Sequence, residues 1–373
     1  METRAQPLSG IVVLDFTTLL PGPLATLMLA EAGAEVIKVE RPGGEELRRF
    51  PPRIDGESAV YALLNRGKKS IVLDLKAPDA RARLAPLLAR CDVVVEQFRP
   101  GVMARLGFGY EDIKSVNPRA VYCSITGYGQ EGPRRNEAGH DLNYIAATGL
   151  LALAPGPLDR PTVPPALIAD IAGGAMPAVM NILLGLRRRD ATGEGSFIDV
   201  AMADAMFTFA WHALAHGFAG HGFPAPGAGL LTGGSPRYRL YPARDGRLVA
   251  CAALEQKFWL AFCAAIGLAA PLIDDHADAA ATIAAVAGIV ASRTAQEWAP
   301  VFAAADCCVT IVTDLEHAVA DPHFTGRGLF AHEVVTAAGT VVPALPVPID
   351  REFRAAPDAV ATTRPGADNG MII

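Results

Sequence analysis

Three short segments of the chain carry side chains of the types that move protons in enzymes. They are Ala138-Gly139-His140-Asp141-Leu142-Asn143-Tyr144, Ala169-Asp170-Ile171-Ala172-Gly173-Gly174 and Ala253-Leu254-Glu255. Imidazole and carboxyl groups are the usual general acids and bases of proteins, provided that the fold brings them to one substrate. The three segments are therefore the candidate site, and their residue types indicate acid–base chemistry.

Two other motifs do not meet the requirements of a cofactor or metal site. The run Gly127-Tyr128-Gly129-Gln130-Glu131-Gly132 fits the G-x-G-x-x-G pattern and follows a predicted strand. A dinucleotide site also needs a helix to begin there, and the polar residues 133–139 show no apolar period. His212 and His216 lie four residues apart, without the Glu of an H-E-x-x-H motif or another suitably placed carboxylate. We therefore expect no redox cofactor and no metal ion.

The elements that must position the candidate site alternate between strand and helix signals. Strands are predicted at 11–16, 35–40, 70–75, 93–97, 120–125 and 196–200, and helices at 24–32, 79–89, 142–151, 171–188 and 203–218. Strands separated by helices indicate βαβ units with right-handed crossovers. The predicted fold class is α/β, with a mostly parallel sheet in the larger domain.

Glycine and proline divide the rest of the chain. We predict a large domain at 1–220, a Gly/Pro-rich linker at 221–236, a smaller α+β domain at 237–325 and a C-terminal segment at 326–373 that returns to the large domain. The smaller domain opens with a predicted hairpin whose turn is Asp245-Gly246, a strong turn signal.

Composition and charge exclude several classes of protein. With 51% hydrophobic and 19% charged residues the chain can bury a large core, which excludes intrinsic disorder. The net charge of −6 argues against a nucleic-acid partner, because such proteins need a basic face. No run of about 18 strongly apolar residues predicts a membrane span. The scattered cysteines and the lack of an apolar signal region after Met1 favour a cytoplasmic protein with reduced thiols.

Several segments together carry a resemblance to a known family. The chain resembles the family III CoA-transferases (the CaiB–BaiF family) and, within them, the α-methylacyl-CoA racemase branch. The matching segments are Leu14-Asp15-Phe16, Pro21-Gly22-Pro23, Val39-Glu40-Arg41-Pro42-Gly43, Gln97-Phe98-Arg99-Pro100-Gly101, Arg105-Leu106-Gly107, Gly127-Tyr128-Gly129-Gln130 and Gly132-Pro133. The resemblance implies a Rossmann-like CoA-binding large domain and an interlocked, ring-like homodimer. Its active site would lie between the large domain of one subunit and the small domain of the other.

The resemblance also implies roles for the candidate residues. Both branches of the family have an Asp at the position of Asp170, which is a nucleophile in the transferases and the partner of a His in the racemases. Residues 139–144 match the racemase segment Gly-His-Asp-x-Asn-Tyr, and His140 precedes Asp170 by 30 residues, as in that branch. The resemblance places a supporting Glu at Glu255, to orient or tune His140, and an oxyanion donor at the backbone amide of Asp141.

Inversion of the carbon beside a thioester requires two groups, because one group cannot reach both faces of the carbon quickly. Reference pKa values of about 6.5 for His and about 3.9 for Asp favour the ion pair by roughly 3.5 kcal/mol. Burial raises a carboxyl pKa and lowers an imidazole pKa, which narrows that gap. We therefore predict that His140 and Asp170 lie on either side of the substrate carbon in an apolar pocket, without a direct salt bridge.

The resemblance assigns the CoA moiety to residues near the strand ends. Its phosphates would meet Arg41, Arg99 and Arg105, its adenine would pack on Leu73-Asp74-Leu75-Lys76, and the rest of the binding set is Gln97, Phe98, Gly139, Asp141, Leu142, Asn143 and Tyr144. Lys68 and Lys69 are further phosphate candidates. Arg237 replaces a family phenylalanine, which indicates an unusual substrate or a role at the subunit contact.

Three functions are compatible with these residues. The leading hypothesis is a racemase or epimerase that inverts 2-methyl-branched acyl-CoA thioesters through an enolate. The first alternative is an acyl-CoA:carboxylate CoA transferase with Asp170 as nucleophile, and the second is a non-catalytic acyl-CoA-binding relative. In all three, CoA belongs to the ligand and no further cofactor is expected.

Overall fold

The computed structural model describes residues 6–157 and 159–372, which form two compact units. The first unit comprises the described residues of 1–148, 165–206 and 322–373, and the second those of 149–164 and 207–321. The unit boundaries therefore differ from the predicted domain boundaries, because residues 149–164 and 207–236 group with the second unit. The C-terminal residues from Pro322 onward group with the first unit.

The strands and helices have the following bounds. The strands are β1 Val12–Asp15, β2 Glu35–Glu40, β3 Arg53–Ile54, β4 Glu57–Ser58, β5 Lys69–Val72, β6 Val93–Glu96, β7 Val121–Thr126, β8 Ser196–Ala201, β9 Tyr238–Pro242, β10 Leu248–Ala252, β11 Val309–Ile311, β12 Glu333–Val335, β13 Val341–Pro343 and β14 Ala359–Ala361. The α-helices are α1 Pro21–Glu31, α2 Ala59–Asn65, α3 Ala80–Arg90, α4 Val102–Arg105, α5 Tyr110–Val116, α6 Asp141–Ala147, α7 Met176–Thr192, α8 Met202–Phe209, α9 Trp211–His216, α10 Gln256–Ile266, α11 Ala279–Val290, α12 Ala295–Ala305, α13 Leu315–Ala320 and α14 Pro322–Gly326.

A six-stranded sheet forms the centre of the first unit, in the order β5-β2-β1-β6-β7-β8. Every neighbouring pair in it is parallel, which confirms the predicted α/β class. From β1 the chain builds outward through β2 and β5 on one side, and β6, β7 and β8 complete the other side. The strand order therefore reverses between β1 and β6, and sheets of this kind bind ligands outside the carboxyl ends of the strands at such a point.

The helix predicted at 203–218 is divided into α8 and α9 at Ala210, and two other helices differ from their predicted extents for identifiable reasons. The helix predicted at 142–151 ends at Ala147, and Gly149 has a φ of 78°, a left-handed conformation that does not continue a helix. The helix predicted at 171–188 begins earlier, with a π-helical turn at Ala169–Ala175 that leads into α7. Pro177 has no N–H to donate to the preceding turn, which favours this wider local winding.

A long apolar segment runs through this turn and α7. Ala169–Thr192 is long and apolar enough, by composition alone, to cross a membrane. Half of its most apolar window is buried within the structure, where α7 packs on α1, β7 and β8. Core helices of globular domains have the same composition, so this segment alone does not indicate a membrane span.

Each unit has its own core, and the C-terminal residues complete that of the first. Ile372 belongs to the buried cluster of the parallel sheet, and the Asp368 and Asn369 side chains accept hydrogen bonds from the backbone of β5 at 2.9 and 2.7 Å. These contacts cover an edge strand that would otherwise expose unpaired N–H groups. In the second unit, β9, β10 and β11 form an antiparallel sheet, and Trp259 and Trp298 belong to its core.

Candidate active site

A cavity of about 1100 Å³ opens in the first unit at the reversal point of the sheet. Its walls come from the loop after β1, the turn after β6, the end of β7, the segment before α6 and the π-helical turn. Those lining residues include Leu19, Leu20, Pro21, Gln97, Phe98, Arg99, Thr126, Gly127, Tyr128, Gly139, His140, Asn143, Tyr144 and Asp170. The carboxyl ends of adjacent parallel strands thus converge on one concave site.

His140 and Asp170 both line this cavity, although they are 30 residues apart in sequence. His140 occupies the residue before α6, where its backbone N–H donates to Asn143 Oδ1 at 3.0 Å. Asp170 lies half-buried in the π-helical turn, and its backbone N–H donates to the buried Asp141 carboxylate at 2.9 Å. Asp141 follows His140 directly, so this bond fixes the two candidate groups relative to each other.

The carboxyl of Asp170 is shifted toward neutral pH. Burial raises its pKa, the nearby Asp141 carboxylate raises it further, and His140 opposes the shift, so that the pKa is about 6. In the described part of the chain (6–157 and 159–372), no hydrogen bond or ion pair connects His140 to the Asp170 carboxyl. A carboxyl with this pKa can exist in either protonation state near pH 6, which a group that both accepts and delivers a proton requires.

Tyr144 explains why glycines flank the site. Its ring lies edge-on to Tyr128 with centroids 5.3 Å apart, and its hydroxyl donates to Gly139 O at 2.6 Å. A Cβ at Gly127 would lie 2.4 Å from this ring, and one at Gly139 would lie 2.7 Å from it. Both glycines are therefore required for the ring to occupy this position, and Gly127 of the G-x-G-x-x-G run has a structural reason other than dinucleotide binding.

The turn after β6 brings three predicted CoA-binding residues to the cavity. Gln97, Phe98 and Arg99 all line it. The Gln97 side chain accepts a hydrogen bond from Gly22 N at 3.0 Å, which connects this turn to the start of α1. Arg99 is exposed, so its guanidinium can contact a ligand phosphate.

The remaining predicted CoA contacts of the first unit do not line the cavity. Arg41 is exposed and forms a 3.4 Å ion pair with Glu46, and Arg105 is exposed on α4. Asp74, Lys76 and Leu142 are exposed, and Asp141 is buried beneath the site; Leu73 and Leu75 pack in or against the core. The buried Leu73 side chain therefore offers no exposed surface to an adenine ring.

The prediction that Lys68 binds phosphate is wrong because its ammonium is buried, whereas Lys69 is exposed and stays a prediction. The Lys68 ammonium is buried and donates to Asp15, Pro23 O, Thr26 and Asn65 at 2.8–3.2 Å. Burial lowers its pKa to about 8, although Asp15 opposes the shift. Lys69 begins β5, at the edge of the sheet opposite the cavity, and pairs with Glu35 at 2.5 Å.

In the second unit, Glu255 occupies the residue before α10, and its exposed side chain makes no capping hydrogen bond. Arg237 is held internally: it forms a bidentate pair with Asp275 at 2.6 and 2.9 Å, donates to Leu254 O at 3.2 Å and lies over the Trp259 ring. The donors of Arg237 are used within its own unit, which gives this residue a structural role there.

Sequence reasoning did not select several residues that line the cavity. Tyr128, Thr126 and the apolar residues Leu47, Phe50 and Leu64 all face it. Tyr128 lies inside the Gly127–Gly132 run, which also carries part of the family resemblance, so a signal for this residue was present in the sequence. The apolar residues belong to α2 and to the segment before it, and no local pattern distinguishes them from core residues.

Comparison with known proteins identifies relatives of both chemical branches. The family model for CoA-transferase family III matches residues 8–369. Human alpha-methylacyl-CoA racemase is 35% identical over 330 residues, which covers 87% of this chain and 82% of that protein. Acetyl-CoA:oxalate CoA-transferase of Acetobacter aceti is 33% identical over 355 residues, which covers 92% and 89%. The crystal structure of a CaiB/BaiF family protein from Brucella suis matches 98% of both chains, with a TM-score of 0.81 and 27% identity.

Proposed function

The chain belongs to family III of the CoA-transferases, an enzyme family, and we propose that it is a racemase that inverts the α-carbon of 2-methyl-branched acyl-CoA thioesters. The observation that carries this proposal is the joint presence of His140 and Asp170 in one cavity, fixed by the Asp141–Asp170 hydrogen bond. Transferase chemistry at Asp170 has no need of an imidazole there.

The reaction proceeds by removal of a proton from one face of the carbon and delivery of another proton to the opposite face. Neutral His140 removes the α-proton, and the electrons of the C–H bond move toward the thioester carbonyl to form an enolate. Protonated Asp170 then delivers its proton to the opposite face, which leaves an imidazolium and a carboxylate. In the reverse direction the Asp170 carboxylate is the base and the imidazolium is the acid. The elevated pKa of Asp170 lowers the free energy needed to keep its proton before turnover.

The enolate oxygen requires a fixed donor, because charge develops on it in the transition state. We assign this role to the backbone amide of Asp141, the first residue of α6. Its side chain already accepts the Asp170 N–H, which keeps that carboxylate bound to the backbone. The acidity of the thioester comes from its own carbonyl, so we assign no metal ion or redox cofactor to the reaction.

We propose that the CoA moiety lies along the carboxyl edge of the sheet. Arg99 at the cavity and the exposed Arg41 and Arg105 supply the cations for its phosphates. Asp74 and Lys76 are the accessible members of the predicted adenine segment. Glu255, in the second unit, retains the proposed role of orienting or tuning His140.

We also propose that two copies of the chain assemble into the interlocked homodimer. One face of α7 is apolar and exposed: Met176, Met180, Leu183 and Leu184 are 41%, 57%, 42% and 61% exposed. Their spacing places them on one side of the helix, and a contiguous apolar stripe of this kind is typical of a protein interface.

The decisive experiment is proton NMR in heavy water with a panel of 2-methylacyl-CoA esters. The wild-type enzyme should exchange the C2 hydrogen for deuterium, and H140A and D170N should each slow the exchange by about 10²–10⁴-fold. H317A is the matched control, because His317 is an exposed histidine of the second unit that pairs with Asp314. It should exchange at the wild-type rate.

The same variants distinguish the alternatives. If H140A still moved CoA from a thioester to a free carboxylic acid, the transferase would be the correct function, with Asp170 as nucleophile. If the wild-type protein bound the esters without exchange or transfer, the chain would be a binding protein. Both the cavity position of Asp170 and the similarity to acetyl-CoA:oxalate CoA-transferase make the transferase the stronger alternative.

A further inference from the structure

A second buried carboxyl lies beneath the cavity, and the proposed mechanism does not use it. Glu96 is the last residue of β6 and is 4% exposed. Its Oε2 accepts a hydrogen bond from Phe98 N at 2.7 Å, and its Oε1 accepts one from the Ser124 hydroxyl. Each carboxylate oxygen therefore accepts one hydrogen bond, an arrangement that favours the ionised form of the carboxyl.

The bond to Phe98 N fixes the start of the turn that lines the cavity. Gln97, Phe98, Arg99 and Pro100 follow Glu96 directly and all face the cavity. The other fixed point of this turn is the 3.0 Å hydrogen bond from Gly22 N to the Gln97 side chain. A change at Glu96 therefore acts directly on the segment that carries Phe98 and Arg99.

Among residues 6–157 and 159–372, no cation compensates the charge of Glu96. On β7 its register partner is Ser124, flanked by the neutral Cys123, and the next strand places Asp199 opposite Ser124. On the other side, β1 ends at Asp15, whose charge is met by Lys38 and Lys68. Burial raises the pKa of Glu96, the bonds from Ser124 and Phe98 lower it and Asp199 raises it again, so that the pKa is about 7.

We propose that Glu96 is a positioning residue for CoA: its carboxylate holds the Phe98 N–H, and so presents Phe98 and Arg99 to the ligand. Protonation replaces this charge-assisted bond by a weaker neutral one and loosens the turn. CoA affinity is then tied to the ionisation of a group that takes no part in moving the substrate proton. The inference rests on the proposed function only in that CoA occupies this cavity.

The test is isothermal titration calorimetry with free CoA between pH 5.5 and 8.5. E96Q keeps the size of the side chain and mimics the protonated form, because its amide can donate to Ser124 while its carbonyl accepts from Phe98 N. We expect E96Q to bind CoA several-fold more weakly than wild type at pH 8.5 and equally at pH 5.5. Because E96Q and wild type are compared at the same pH, the titration of CoA itself affects both affinities equally. In the exchange assay at pH 8.5, E96Q should raise KM and leave kcat within about twofold.

A second variant and a control separate positioning from general structural damage. S124A removes a donor that favours the carboxylate, so the pH at which CoA affinity changes should rise. E35Q alters a carboxyl at the opposite edge of the sheet and should change nothing. Identical CoA affinity of E96Q and wild type at every pH would overturn the inference. Failure of wild type to bind CoA at any pH would instead overturn the proposed function.

Discussion

Asp15 and Glu96 are buried carboxyls at adjacent strand ends, and they differ in whether a cation meets them. Asp15 lies 3.8 Å from the Lys38 ammonium and 3.2 Å from that of Lys68. Burial alone would raise the pKa of Asp15, but the two lysines and two threonine hydroxyls hold it well below its usual range. Glu96, one strand away, has no such partner, and burial raises its pKa to about 7.

Asp170 follows the pattern of Glu96 and not that of Asp15. It faces the cavity, its nearest carboxylate neighbour is Asp141, and burial and this neighbour raise its pKa to about 6. The carboxyl ends of the strands thus hold two kinds of buried carboxyl. Asp15 forms a closed ion cluster with Lys38 and Lys68. Asp170 and Glu96, at the cavity, form no ion pair within the described residues. In the cluster, cations hold the Asp15 carboxylate ionised, whereas Asp170 and Glu96 change protonation near neutral pH, as acid–base sites require.

Removal of one cation from the closed cluster should have the largest effect on stability. K68M keeps the apolar stem of the side chain but leaves Asp15 with Lys38 as its remaining cation. Breaking a buried pair by removing one partner costs about 3–5 kcal/mol, because an uncompensated charge stays buried. We expect a loss of this size in the free energy of unfolding, measured by urea denaturation at pH 7. A loss below about 1 kcal/mol would show that the cluster is open to water.

The contrast between these lysines shows where sequence reasoning ends. The six strands of the parallel sheet were predicted within a few residues, because buried parallel strands are short apolar runs bounded by turn residues. Lys68, however, is flanked by Gly67 and Lys69, a composition that is typical of a solvated loop. Its burial depends on Asp15, which is 53 residues away in sequence. No local pattern contains that pairing.

In the candidate site, too, the local segments could be predicted from the sequence, but the contacts between them could not. The segments around His140 and Asp170 could be selected from the sequence, because their residue types and spacing match a family pattern. Their connection through the Asp141 side chain depends on the π-helical turn, which no helix periodicity predicts. The pairing of Arg237 with Asp275 could not be predicted from a local pattern either, because the two residues are 38 positions apart in the chain.

Removal of an unpaired carboxyl should have the opposite sign and a smaller size. The pKa of Asp170 is about 6 in the folded chain against a reference of 3.8, so folding binds its proton more tightly. That contribution is fully present below pH 3.8 and is lost as the pH rises through about 6. D170N carries no ionisable carboxyl at this position, so its stability does not fall over this pH range. After allowance for solvent screening of a partly exposed group, we expect it to be about 1 kcal/mol more stable than wild type at pH 8.

Urea denaturation at pH 4 and pH 8 tests this expectation. The gain should be absent at pH 4, and the exposed carboxyl of Asp74 provides the control, since D74N should show no gain at either pH. D170N would then be more stable and yet nearly inactive in proton exchange, the combination expected when a group is kept for chemistry at the expense of stability. Destabilisation of D170N at pH 8 would mean that the carboxylate has a favourable partner, and would place Asp170 with Asp15.

The smallest effect should come from Lys69, the neighbour of Lys68 in sequence. Lys69 pairs with Glu35 at 2.5 Å, but its side chain is 45% exposed and that of Glu35 is 31% exposed. Exposed pairs contribute about 0–1 kcal/mol, because water and salt screen them and ordering both side chains costs entropy. K69M should therefore change the free energy of unfolding by less than about 1 kcal/mol, and added salt should reduce even that difference. The two substitutions remove the same charge from adjacent residues, so burial and the number of partners must account for the difference between them. An effect of K69M as large as that of K68M would show that the net charge of the unit, and not the closed cluster, determines stability.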